Sequence, residues 1–170
     1  MEPFLLWLEE TAFSTWMRES VSVFAFPVIL SFHTIGMGVV AGINGALALR
    51  ILGVAPGVPI QEMKRFFPFM WAGFWLNALS GVALLIGYPT KALTNPMFFL
   101  KLTLVAIGLV LVKKITGRVF GTLSLDAAPL DAATSPQVRK MAFASLACWS
   151  GVIITGRLLA YTYSRLLANF

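Results

Sequence analysis

The sequence predicts an all-α integral membrane protein, a four-transmembrane-helix up-down bundle with an N-terminal interfacial helix. Three observations lead there. Of 170 residues, 58% are apolar and only 12% charged, against about 25% charged residues in soluble domains. Mean hydropathy is +0.84. Four apolar runs reach the roughly 20 residues that a helix needs to cross about 30 Å of hydrocarbon, each bounded by charge or turn residues.

Residues 1–20 form the first unit. They hold four glutamates (Glu2, Glu9, Glu10, Glu19) and one arginine, Arg18, so they lack the basic start of a signal peptide and are expected to be retained. Trp7 and Trp16 suit a segment lying at headgroup level. Residues 21–170 form the transmembrane domain, with spans over about 23–49, 66–88, 96–114 and 141–163. The first is closed by Arg50 and a Gly53–Pro59 turn. The second follows Lys64 and Arg65, with Pro68 tolerated in its opening turn. The third opens on Thr94 or Asn95 as N-cap with Pro96 at the first helical position, and the fourth repeats that device with Thr134 or Ser135 before Pro136. Four helices with short connections read as an up-down bundle. The longer 117–140 connection carries a near-repeat, Leu125-Asp-Ala-Ala and Leu130-Asp-Ala-Ala, and reads as a connector.

The charge balance is +6, but the cations sit between apolar runs and lack the stacking aromatics on a solvated face that nucleic-acid binding requires. They encode topology. Arg50, Lys64, Arg65, Lys113, Lys114, Arg118, Arg139 and Lys140 fall on one side, and Arg18, Lys91 and Arg165 on the other. By the positive-inside rule both termini face outward, which in a bacterial inner (cytoplasmic) membrane is the periplasm.

Lys101 and Arg157 remain, inside helices, together with the one histidine, His33. An ionisable group at mid-helix costs about 2.5 to 3.5 kcal/mol in the bilayer and marks a functional site by default. His33 lies about 15 Å from the outer end of its helix, Lys101 about 7 Å and Arg157 roughly 9 Å, so all three occupy the outer half of the bundle. An imidazole near mid-depth with cations nearer the surface suits haem b, with His33 as the metal ligand and Lys101 and Arg157 on the propionates. Asn77, also near mid-depth, is a candidate partner for His33 or for a ligand. Met37 follows His33 by four on the same face, and an imidazole with a thioether is a donor pair for copper(I). Each residue also has a plainer reading. A histidine or asparagine can bond across helices, Lys101 and Arg157 can reach the headgroups, and Met37 can fill a gap. One cysteine, Cys148, excludes an internal disulfide and any multi-cysteine cluster. All seven acidic residues lie outside the spans, which removes a carboxylate proton relay.

The stretch from Phe26 through Pro27, His33 and Gly36, continued by Gly42 and closed by Leu49-Arg-Ile-Leu-Gly53, resembles the first core helix of small bacterial membrane proteins of the CopD-like and HemJ-like superfamily. Phe98-Phe-Leu-Lys101-Leu102 resembles the opening of their third helix. The likeness spans roughly residues 20 to 165. HemJ-like proteins are haem-b-associated protoporphyrinogen oxidases that depend on a first-helix histidine and a lysine, so the resemblance implies His33 as haem ligand and Lys101 as a second essential group. CopD-like members are linked to copper import.

The expected function is therefore a haem b protein with a redox role, electron transfer or porphyrin oxidation, served by a redox partner. The alternatives are an accessory subunit of a larger membrane complex, with no cofactor, and a copper or anion transport protein. One histidine excludes bis-histidine ligation within a chain, whereas Gly38 and Gly42, a small-xxx-small pair on the His33 helix, make a homo-oligomer plausible.

Overall fold

The computed structural model describes residues 2–121 and 135–167, and within these the chain is helical without strands. The Leu125 and Leu130 near-repeat lies outside the described residues. The N-terminal segment forms two short helices, α1 (Glu2–Glu9) and α2 (Ala12–Glu19), where the sequence suggested one. Thr11 makes the break: its hydroxyl donates to the Leu8 carbonyl at 2.8 Å and accepts from the Ser14 N–H at 3.4 Å, ending one helix and capping the next. Arg18 folds back to donate to the Glu9 carbonyl.

Helix α3 (Phe26–Leu52) begins with Pro27 in its first turn and ends at Gly53, whose φ of 95° is the left-handed conformation glycine permits. The Val54 N–H then bonds the Leu49 carbonyl at 3.0 Å, the long bond of a Schellman ending. A 3-10 turn (Ile60–Phe66) runs directly into α4 (Phe67–Gly87), followed by the short α5 (Pro89–Leu93), α6 (Pro96–Phe120) and α7 (Pro136–Leu167). Asn95 caps α6 through Oδ1 to the Met97 N–H at 2.9 Å, while its Nδ2 donates to Thr162 of α7 at 2.8 Å. Ser135 caps α7, accepting from the Val138 N–H at 3.3 Å.

The helices overrun the apolar spans read from the sequence. The third continues from 114 to Phe120 and the fourth begins at Pro136 instead of 141, because Lys113, Lys114, Arg118, Arg139 and Lys140 end the hydrophobic stretch without ending the backbone ladder. Phe26–Leu52, Ile60–Gly87 and Pro136–Leu159 are each long and apolar enough to cross a membrane.

Helix α3 packs against both α4 and α7, and α6 packs against α7. One apolar cluster, including Leu47, Ile51, Ile60, Ile115, Val119 and Val138, closes the Lys/Arg-rich end. A second, Val40, Trp149 and Val152 with Met37, Phe74 and Leu104 against it, fills the middle. A close backbone approach joins α3 to α4. A Cβ on Gly36 would stand 2.7 Å from the Asn77 nitrogen and the Gly73 carbonyl oxygen, and Gly73 in turn lies under Val39. Gly38 and Gly42 are not part of it, since a Cβ at either meets nothing within 4 Å. At the opposite end of the molecule from the first cluster, α2 docks on the end of α4. There Ser14 Oγ donates to the Gly87 carbonyl at 3.2 Å and the buried Met17 side chain covers Gly87.

Candidate functional site

The Gly36–Gly73 approach puts α4 close enough to α3 for Asn77 to reach it. Asn77 Nδ2 donates to the His33 backbone carbonyl at 2.7 Å, and His33 Nδ1 lies 3.0 Å from the Asn77 backbone carbonyl oxygen. A carbonyl oxygen only accepts, so Nδ1 carries the proton and donates there. Ser80, one turn beyond Asn77 on the same face, has Oγ 3.3 Å from Nδ1 and sends its own hydrogen to the Leu76 carbonyl at 2.6 Å. Nε2 is left with a lone pair, and Lys101 Nζ donates to it at 3.0 Å. Gly81 gives the ring its space: a Cβ there would stand 3.1 Å from the ring carbon between the two nitrogens.

Four helices supply this site. His33 comes from α3, Asn77, Ser80 and Gly81 from α4, and Lys101 from α6. Helix α7 contributes Gly156, where a Cβ would lie 3.9 Å from Lys101 Nζ, so the lysine runs past a residue without a side chain. His33 and Lys101 are both half-buried. The result is an imidazole held in one tautomer at one edge, with its basic nitrogen pointed at a lysine and, among the described residues, no carboxylate beside it.

Of the residues singled out in the sequence, His33, Asn77 and Lys101 come together. Arg157 does not join them: it follows Gly156 on α7, and its side chain is exposed on the outer face of that helix. Met37 is half-buried one turn from His33 and packs against the Val40–Trp149–Val152 cluster. Ser80, which the sequence places beside Asn77 on the same helix at i, i+3, joins His33 and Asn77, and Gly81 is an addition.

The donor set discriminates between ligands. Among the described residues no group of three His, Cys, Asp or Glu side chains converges, so a cation that needs several such ligands would be short of donors. Haem needs less, because the porphyrin brings four nitrogens and asks the protein for an axial ligand. An imidazole that donates its other N–H to a backbone carbonyl is the usual support of such a ligand, and this is the arrangement of His33. Binding at Nε2 requires Lys101 to swing away, which its four-carbon stem permits. No family model, curated protein or solved structure matches the chain.

Proposed function

We propose that the protein binds haem b within the membrane and serves a redox role, with His33 as the residue that would ligate its iron. In this reading α6 is the fourth span of the bundle: its 25 residues reach about 37 Å at 1.5 Å per residue. The carrying observation is the hydrogen bond from His33 Nδ1 to the Asn77 carbonyl, which fixes the tautomer and leaves the Nε2 lone pair available. Asn77 and Ser80 hold the ring, Gly81 admits it, and Lys101 is the cation for an anionic propionate once it leaves Nε2. The group supplies one-electron chemistry when bound. The likeness to the CopD-like and HemJ-like superfamily belongs to the same proposal and rests on the pairing of His33 with Lys101. Arg157, exposed on α7, would meet a propionate only at the rim of the site.

The test is an absorption spectrum of the detergent-solubilised protein, oxidised and reduced. A Soret band is expected, and it should vanish in His33→Ala while the elution volume and helical signal are kept. A colourless preparation containing no haem by mass spectrometry overturns the reading.

One observation favours a second reading, an accessory subunit or homo-oligomer. Gly38 and Gly42 lie on an exposed face of α3 that no other part of the described chain covers, and small residues on a membrane helix allow close approach of another. Crosslinking between single cysteines placed at residue 38 separates the two cases, with a homodimer giving a disulfide-linked pair and a larger complex giving none.

A further inference from the structure

We propose that the groove between α4 and α6, near the Lys/Arg-rich end of the bundle, holds an acyl chain of one anionic phospholipid whose phosphate is bound by Lys113. Helices α4 and α6 are joined through α5 and make no extensive contact with each other; they touch at this end through the Phe67 and Phe120 rings, and a space of about 400 Å³ opens between them. That volume is in the range of small-molecule sites. Its walls are Phe67, Met70 and Trp71 from α4 and Leu109, Val110 and Val112 from α6, which offer a hydrocarbon chain dispersion contacts and offer a free inorganic anion nothing.

The polar groups stand at one end. Lys113 and Thr116 complete the lining, and the Thr116 hydroxyl is turned to the Lys113 carbonyl at 3.1 Å, so the lysine ammonium is the group left to meet a headgroup. The ion pairs Arg18–Glu9 and Arg65–Glu62 do not engage Lys113. Lys64, Lys114 and Arg118 are exposed around the same end. Clustered cations near a membrane surface attract anionic lipid by about 1 kcal/mol each. A zwitterionic headgroup brings its own ammonium and gains less. The groove is distinct from the His33 site, since Lys113 is roughly 18 Å along α6 from Lys101 at 1.5 Å per residue.

Native mass spectrometry of the whole protein, released from detergent containing equal phosphatidylglycerol and phosphatidylcholine, tests this. One bound phosphatidylglycerol is expected, preferred about fivefold over phosphatidylcholine, the ratio corresponding to one cation's worth of attraction. Lys113→Gln should bring the two lipids to parity. Val110→Trp, which fills the groove from a lipid-exposed position, should remove the adduct of both, and Lys114→Gln, one residue outside the lining, should leave the preference intact. Each variant is first checked for unchanged helical signal and elution volume. Equal binding of the two lipids by the unaltered protein, a preference that survives Lys113→Gln, an adduct that survives Val110→Trp, or an equal loss in Lys114→Gln would each overturn the proposal.

Discussion

Lys101 Nζ donates to His33 Nε2 across 3.0 Å, so the one histidine of the chain is tied to α6 on one ring edge and to α4 on the other. Interhelical hydrogen bonds in membrane proteins average about 0.6 kcal/mol and reach about 1.7. This one joins two groups that are each costly to leave in hydrocarbon alone, which places it toward the upper part of that range. A double-mutant cycle of His33→Phe and Lys101→Met, read by unfolding in mixed micelles, should give a coupling of about 1 kcal/mol. Additive single and double variants would mean that the two side chains do not interact. The single variant Lys101→Met should cost less than the coupling, because it also removes a lysine from the apolar interior.

The α3–α4 contact should be intolerant of one methyl group. At Gly36 an added Cβ meets the Asn77 nitrogen and the Gly73 carbonyl oxygen at 2.7 Å, and backbone atoms cannot rotate away. Gly36→Ala is expected to destabilise by roughly 1 to 3 kcal/mol, the usual cost of overpacking. By separating the helices it should also release Asn77 from His33. Gly42→Ala faces open space and should be neutral or gain the helix-propensity advantage of alanine, at most about 1 kcal/mol. Thermal denaturation of the two variants side by side tests the contrast, and equal effects would show that the close approach is not at Gly36.

That contrast also marks where the sequence was informative. Depth along a helix follows from counting at 1.5 Å per residue, so His33, Asn77 and Lys101 could be set at compatible heights before any fold was known. Pro96 after Asn95 and Pro136 after Ser135 announced two helix starts by the chemistry of their caps. The side of the helix was another matter. These helices are apolar almost all round, so no polar stripe distinguishes an inward face. Gly36 and Gly38 look alike in the sequence, and only the first meets a neighbour. Arg157 is at a suitable depth but on the outer face, for the same reason. The break at Thr11 was hidden because the segment has no clean apolar stripe whose interruption could be seen.

The N-terminal helices are held by few bonds, and those bonds are polar and specific. Ser14 Oγ reaches the Gly87 carbonyl, and Glu9 Oε1 accepts from the Thr90 N–H at 3.4 Å. Replacing both side chains, Ser14→Ala with Glu9→Ala, should cost about 1 to 2 kcal/mol of docking without touching the packing of α3, α4, α6 and α7. Faster protease cleavage or hydrogen exchange confined to residues 1–20 is the expected outcome. Exchange that rises throughout the bundle would instead make α1 and α2 part of its cooperative core.

Membrane topology separates a four-span chain from a three-span one. With α3, α4, α6 and α7 all crossing, the 54–66 turn and Gly121 lie on one side, and Ser20, Lys91 and Thr94 on the other. With α6 not crossing, Gly121 would share the side of Lys91. Cys148 is buried and its Sγ donates to the Leu104 carbonyl at 2.9 Å, so Cys148→Ala gives a silent background in which single cysteines at 20, 64, 91 and 121 can be tested with a membrane-impermeant maleimide in sealed cells. Labelling of 20 and 91 but not of 64 or 121 is expected, with the protected pair on the Lys/Arg-rich side that the positive-inside rule keeps in the cytoplasm. Labelling of 121 together with 91 would remove α6 from the spans, and with it the placement of Lys101 beside His33 within the bilayer.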